Sequence, residues 1–413
     1  MIQNHDMKRA FFWNSTGSTI NLVCQWLTTV LIVRLSDDYV DAGNYALAIS
    51  GTAVFFYMAV YNMRAFQVSD TCNEYSDRDY IATRIVTIAF ALLGCGIFVM
   101  AMKYTGTQRT VIMLFMLFRA FEAFSDVLYG IEQKAWRLDL AGISLFIRGI
   151  LLLIAFVILQ LLFDLKIAVF GIVLSSLVVI VLFDLPKTKK LSPNMMTVQF
   201  NTNIFRLLKK CFPLAITAVL TALTIPFSRF ILEKICGTEV LGIYASIAAP
   251  ALIVQLAAGF IFSPLITLFA DYASNGHRKA FVMLFAKCCM AIAGIIGICL
   301  IGAVFFGEWG LFLLFGETIR PYSYLLFNAI VVTGLTAFVY FFSAVLTVLR
   351  DMKGIIIGNT IGFTVCAITA GKLIAYYGIS GINYTMIFSM GTGMIILLIA
   401  CLRDYFKMSI IVN

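Results

Sequence analysis

The chain consists of one apolar stretch after another, each about as long as a bilayer crossing and separated by short polar interruptions. A membrane helix needs about 20 mostly apolar residues. About twelve stretches meet that rule, roughly 10–34, 43–68, 81–102, 108–130, 141–163, 166–185, 211–232, 241–270, 281–306, 322–349, 354–377 and 380–402. Backbone polar groups in hydrocarbon must be satisfied within the segment, so runs of this kind are helices. The expected fold class is therefore an all-α polytopic membrane protein with about twelve transmembrane helices. Composition excludes a soluble class: 62% of the 413 residues are hydrophobic and 12% charged, against about 45–50% and about 25% in soluble domains.

The longest polar interruption, residues 186–206, follows the sixth run. It divides the chain into an N-terminal six-helix bundle (1–185), a linker (186–210) and a C-terminal six-helix bundle (211–413). Placing both termini inside assigns about twenty of the thirty Lys and Arg residues to the cytoplasmic side, which is the positive-inside bias. That choice leaves the outer loops sparse or acidic (Asp37, Asp38, Asp41, Asp164, Glu308, Glu317) and puts the Lys-rich linker in the cytoplasm. The net charge of +9 is thus a matter of orientation, and nucleic acid is not an expected partner. In residues 199–211, Phe200, Ile204, Leu207, Leu208 and Cys211 recur at helical spacing against Gln199, Asn203, Arg206 and Lys210. This predicts an amphipathic helix on the inner leaflet that tethers the two halves. The first apolar run follows Lys8 and Arg9, but its length and its Asn14, Ser18, Asn21 and Gln25 make it a retained span rather than a cleaved signal.

A short internal repeat appears when the chain is slid by 199 residues, so that Gly43 meets Gly242, Tyr45 meets Tyr244 and Ala46 meets Ala245. Six spans per half is an even number, so both halves enter the membrane in the same sense. The implied symmetry is a pseudo-two-fold along the membrane normal, with a site between the halves.

Ionisable residues interrupt this apolar pattern most densely in residues 118–149. Arg119, Glu122 and Asp126 fall in the fourth span, and Arg148 in the fifth. A charge at membrane depth costs at least ~2.5–3.5 kcal/mol on insertion scales, so it faces a partner or a wet cavity. The i, i+3, i+7 spacing of the first three puts them on one helix face. One reading pairs Arg148 with Glu122 or Asp126 as a structural bridge. It leaves Arg119 near mid-membrane without an equally deep acidic partner, and so suited to an anionic substrate, since a guanidinium matches phosphate and carboxylate geometry. Arg64, at the inner end of span 2, is a second anion-binding candidate or a snorkelling interfacial residue. Arg34 and Arg229 end odd spans and are expected at the outer interface.

Polar side chains also recur along single helix faces. On span 1 these are Asn14, Ser18, Asn21, Gln25 and Thr28, on span 7 Thr217, Thr221, Thr224 and Ser228, and on span 10 Thr333, Thr336, Tyr340, Ser343 and Thr347. Hydroxyls of this kind serve either as contacts between packed helices or as a cavity wall. The two Asn and the Gln of span 1 favour a wet wall there. Pro213, Pro226, Pro250 and Pro264 mark candidate kinks. The ten cysteines are scattered, no Cys-x-x-Cys occurs, and His5 and His277 lie outside the spans. No metal site, disulfide framework or cofactor is expected, and no nucleophile–base pair suggests an enzyme.

Two groups of residues carry a family resemblance. One is the pattern Arg119-Ala-Phe-Glu122, Asp126, Gly130, Gln133, Arg137, Asp139, Gly142 and Arg148-Gly149; the other is the Gly-x-Tyr opening of spans 2 and 8. Together with the six-plus-six layout and residues 311–326, they make the chain resemble the Wzx-type flippases of the polysaccharide-transporter family. That family lies within the superfamily of multidrug/toxin extrusion (MATE) transporters and lipid II flippases. The resemblance implies two bundles around a V-shaped cleft and alternating access in the bacterial cytoplasmic membrane. The implied substrate is an undecaprenyl-pyrophosphate-linked sugar repeat unit, as in O-antigen or capsule assembly. In that picture Arg119, Arg148 and Arg64 contact the pyrophosphate or acidic sugars. The span 1 stripe of Asn14, Ser18, Asn21 and Gln25 contacts sugar hydroxyls, Thr221 and Thr224 of span 7 are further substrate-binding candidates, and Glu122 or Asp126 couples movement to H+ or Na+. Other polysaccharide-assembly membrane proteins are implied partners. The alternatives are a drug exporter on the same fold, disfavoured by the deep Arg119, and a polymerase or ligase, disfavoured by the short outer loops.

Overall fold

The computed structural model describes residues 4–36, 38–70, 74–195, 197 and 201–407. Asp37, Gln199 and Phe200, which figured in the loop and linker readings, lie outside the described residues. The described chain is helical, with no strand among the described residues. The elements are α1 (Asn4–Leu35), α2 (Val40–Val60), α3 (Met63–Ser69), α4 (Asp77–Ala101), α5 (Gly106–Lys134), α6 (Leu138–Leu162), α7 (Leu165–Val179), a π turn (Ile180–Asp184) and α8 (Leu185–Leu191). There follow α9 (Thr202–Cys236), α10 (Thr238–Phe262), α11 (Ile266–Ser274), α12 (Arg278–Phe315), α13 (Leu325–Val348), α14 (Met352–Tyr377) and α15 (Ile379–Lys407). Among the described residues, eleven helices are long and apolar enough to cross a membrane, α2–α3 and α7–α8 each counting as one. The remaining long helix is α5, whose 29 residues extend ~44 Å. Its charges, rather than its length, set it apart.

The chain divides into two compact units, Met1–Ala222 and Leu223–Asn413. The expected repeat is visible in how each unit packs internally. In the first unit α5 packs on α2, on α4 and on α7, and α6 packs on α7; in the second α13 packs on α10, on α12 and on α15, and α14 packs on α15. The repeated tyrosine serves that packing. Tyr45 stacks edge-on against Phe115 of α5 at 5.5 Å, and the Tyr244 hydroxyl donates to Asn383 Oδ1 of α15 at 3.0 Å.

The polarity of the helices is reversed from that of a soluble protein. On α4, Phe90, Leu93, Ile97 and Met100 form an exposed apolar face, whereas Arg84 is fully buried. On α12, Ile298, Ile301, Phe305 and Trp309 are exposed in the same way. Large apolar side chains facing outward along helices of this length belong in hydrocarbon, so this is a multi-pass membrane protein.

The linker differs from expectation. Residues 202–210 form no separate surface helix; they are the first turns of α9, which runs unbroken through Pro213 and Pro226. Elongating an existing helix adds one hydrogen bond per residue without a new nucleus. The apolar stripe does not lie on a leaflet either: Leu207 and Cys211 are buried with Met63, Tyr80, Ile81, Val127, Leu128 and Ile131 of the first unit. On the other side, Asn201 donates to Asp79 Oδ1 at 2.9 Å, and Lys210 pairs with Glu74. Of the four prolines marked as kinks, Pro250 sits inside α10, and at Pro264 the helix tightens to a single 3₁₀ turn, Ser263–Leu265, between α10 and α11.

Candidate functional site

The charged side chains of the first unit converge where α5 meets α2, α3, α4 and α6 to α8. Three features of the backbone place them there. Tyr61 and Asn62 adopt left-handed backbone (φ 53° and 48°), which ends α2 and redirects α3. Gly130 lets α3 lie close on α5: a Cβ there would sit 2.1 Å from Gln67 Oε1. Pro186 has no N–H to donate to the carbonyl of Leu182, and its ring crowds that carbonyl. The helix widens to the π turn Ile180–Asp184 at that point, a form common at functional sites.

Three ionic groups result. In the first, Arg119 Nη1 meets Glu122 Oε2 at 2.5 Å, one turn along the same helix. Gln25 of α1 donates to Glu122 Oε1 at 3.1 Å. The Arg119 guanidinium sits 5.0, 5.2 and 5.6 Å from the ring centres of Phe56, Phe115 and Phe118. These are cation–π distances within an apolar wall. The side chain stays 18% exposed. In the second group Asp126 joins two arginines: Arg84 Nη2 at 2.8 Å and Arg64 Nη1 at 3.5 Å. Arg64 also donates to Gln133 Oε1, at 2.9 and 3.1 Å, and Arg84 donates to the Ala59 carbonyl at 2.8 Å. In the third, Arg148 Nη2 pairs with Asp184 Oδ2 at 3.0 Å and donates to Ser125 Oγ, with both charged side chains fully buried.

These pairings correct the expectation for Arg148 and Arg119. Arg148 does not bridge to Glu122 or Asp126; its partner is Asp184, which the π turn rotates inward. Arg119 has an acidic partner, Glu122. Arg64 is not a snorkelling residue, because its guanidinium turns inward to Asp126 and Gln133. Arg34 is exposed at the end of α1. Arg229 lines a cavity of about 50 Å³ in the second unit with Ser228, Tyr244, Gln255, Thr333 and Thr336.

The polar stripes separate by environment. α1 packs so closely on α6 that a Cβ on Gly17 would lie 1.8 Å from the Gly142 carbonyl oxygen, and one on Gly149 would lie 2.8 Å from Asn21 Cα. Asn21 is consequently buried against α6, while Asn14 and Ser18 are half-buried. Gln25 is the member of the stripe that reaches the charged cluster. The hydroxyls of Thr221, Thr333 and Thr336 donate to carbonyls of their own helices, and Thr224 is buried.

Sequence reasoning missed Arg84, Asp184 and Ser125, and also Glu132 and Thr188, whose side-chain oxygens lie 2.8 Å apart where α5 meets α8. Arg84 and Asp184 each sat within three residues of an expected span end, where a charge is unremarkable by count.

The two carboxylates and three arginines of the first two groups leave one positive charge in excess. Its two partly exposed cations are Arg119 and Arg64. Such a cluster can hold an anion while its own acids keep the guanidinium groups in place. The sequence is 30% identical over 318 residues to the capsular polysaccharide biosynthesis protein CapF of Staphylococcus aureus, covering 75% of this chain and 78% of that one. The chain belongs to the CapF family. No protein-family profile matches the chain. Solved structures share the fold of this chain at low sequence identity. They include the lipid II flippase MurJ in an inward closed conformation (TM-score 0.71, 15% identity, 96% of this chain and 89% of that one). They also include a multidrug resistance MATE family transporter of the MOP superfamily, inward-facing (TM-score 0.69, 12% identity, 97% and 98%). The Vibrio cholerae MATE transporter VcmN in its bent form aligns with a TM-score of 0.63, 14% identity and coverage of 98% and 97%. The fold is thus MATE/MOP-like, and these structural neighbours are transporters and flippases.

Proposed function

We propose that this CapF-family protein flips undecaprenyl-pyrophosphate-linked oligosaccharide repeat units from the inner to the outer leaflet of the bacterial cytoplasmic membrane, by alternating access and without catalysing a reaction. The observation that carries this reading is Arg119: a partly exposed guanidinium, walled by three phenylalanines, in a cluster with an excess positive charge. An anionic head group entering that wall replaces its hydration with guanidinium hydrogen bonds in a low-dielectric setting, where they are strongest. Arg64, tied to Gln133 and Asp126, is the second phosphate contact in this proposal. Arg148, paired through Nη2 with Asp184 and Ser125, holds α5, α6 and the π turn together instead. Gln25, through Glu122, links α1 to the state of Arg119, and the half-buried Asn14 and Ser18 continue that stripe toward sugar hydroxyls, while Asn21 packs against α6. Thr221 and Thr224 belong to helix packing. In keeping with the loop charges, both termini face the cytoplasm. Other polysaccharide-assembly membrane proteins would supply and consume the repeat units.

The test is complementation of a strain lacking its own repeat-unit flippase, read as surface polysaccharide against lipid-linked repeats retained inside. Wild type restores polysaccharide, Arg119→Ala does not at equal expression, and Arg119→Lys restores part, because a point charge lacks the planar fork. Normal export by Arg119→Ala would remove the cluster from the transport path. Failure of wild type with several glycans, together with export of cationic dyes, would favour a drug exporter.

A further inference from the structure

Around the π turn the buried acids outnumber the ion-paired cations, and the excess positive charge of the neighbouring cluster reaches Glu132 through no ion pair among the described residues. Two acids are buried there, Asp184 at 0% and Glu132 at 1% exposure. One cation, Arg148, is ion-paired in the group, and it is paired with Asp184. Glu132 Oε1 and the Asp184 carbonyl oxygen each lie 2.8 Å from Thr188 Oγ1, whose single proton serves one of them at a time. Glu132 Oε2 and Asp184 Oδ1 are both buried without a hydrogen-bond partner. No ion pair to Glu132 exists among the described residues. The charged groups acting on it are Asp184 of the π turn, Arg64 of α3 and Asp139 of α6, with Tyr129 one turn away on its own helix. Of these the one nearby cation, Arg64, is engaged by Asp126 and Gln133, and Asp139 is bound by Arg137. An ionised carboxylate so buried has neither an ion pair nor a donor at Oε2 to replace its hydration, and such a group neutralises by taking a proton.

We propose that Glu132 is a proton-binding site, a carboxylic acid that holds its proton while α8 is docked on α5 and releases it when Thr188 and the π turn move away. Release breaks the O–H bond at Oε2, leaves a carboxylate exposed to water and passes the proton to that water. Uptake reverses the step as the segment closes. The site deepens the transport reading and rests on it only for what the proton would drive. It also places the coupling acid away from Glu122 and Asp126, whose arginines compensate them in the charged form.

The test needs no substrate and so stands apart from complementation. Infrared difference spectra of the purified full chain in lipid nanodiscs, taken between neutral and alkaline buffer, report protonated carboxyl groups through their carbonyl band. Wild type shows such a band at neutral pH that disappears on alkalinisation. Glu132→Gln lacks it, and Thr188→Val retains it at higher frequency, because the carbonyl oxygen has lost its donor. The valine variant serves alone if the glutamine variant does not fold. A band unaffected by either substitution overturns the proposal, as does a band abolished by sodium at constant pH, which would mark a cation site.

Discussion

Removing the carboxylate of Asp184 should destabilise the first unit more than any other single charge deletion in it. The pair is fully dry, at 3.0 Å with 1% and 0% side-chain exposure. Asp184→Ala leaves Arg148 buried with the Ser125 hydroxyl and the Tyr129 ring, whose centre is 6.0 Å away. Breaking a buried pair from one side costs about 3–5 kcal/mol, because the other charge stays behind uncompensated. The ring contact is present before and after the change, so it does not offset that cost. A loss of about 3–5 kcal/mol follows, about two to four decades in the folding equilibrium. The assay is unfolding of detergent-purified protein, comparing Asp184→Ala with Glu74→Ala, which breaks the exposed pair to Lys210, and with the double replacement Arg148→Met/Asp184→Leu. The single change at Asp184 should lower the midpoint sharply, Glu74→Ala should scarcely move it, and the double replacement should recover most of the loss, since apolar side chains of similar volume often substitute for a buried pair. If Asp184→Ala unfolds at the same midpoint as Glu74→Ala, the pair is not dry and the reasoning about the π turn fails with it.

Other outcomes follow from the same structure. Gly17→Ala should abolish folded protein, because its Cβ would fall 1.8 Å from a backbone oxygen of α6 that cannot yield, whereas Gly96→Ala, with open space around it, should be silent in fluorescence-detected size exclusion. In the segment between α3 and α4, burial acts to raise the Asp70 carboxyl, but hydrogen bonds from the Glu74 and Tyr75 amides and the Tyr80 hydroxyl outweigh it and hold the group below its ordinary 3.8. Its contribution to stability is therefore complete above pH 3.8 and lost as pH falls through the lower folded value. Amide exchange at Glu74 and Tyr75 should accelerate only in that acid range, and Asp70→Asn should make it fast at neutral pH as well.

The sequence alone determined the solvent and the scale of this protein. Apolar runs of bilayer length admit only helices there, so the membrane class, the approximate positions of the spans and the family resemblance could be read directly. The 3.6-residue period also put Arg119, Glu122 and Asp126 on one face of α5. It could not say which helix that face meets. That decision belonged to long-range packing: the glycine contact of α1 on α6, the left-handed break after α2 that turns Arg64 inward, and the seating of α3 against Gly130. Arg84 and Asp184 looked like span ends because a count of residues carries no depth or rotation. The π turn adds a residue to one turn of helix and so changes which side Asp184 faces. The amphipathic stripe of α9 was legible as a stripe, but an apolar face fits lipid and protein equally well by composition. Only the presence of Met63, Tyr80 and Val127 on the other side made it a protein core. Helix identity is local and resides in sequence, whereas charge pairing is a property of neighbours and arises only when the helices have packed.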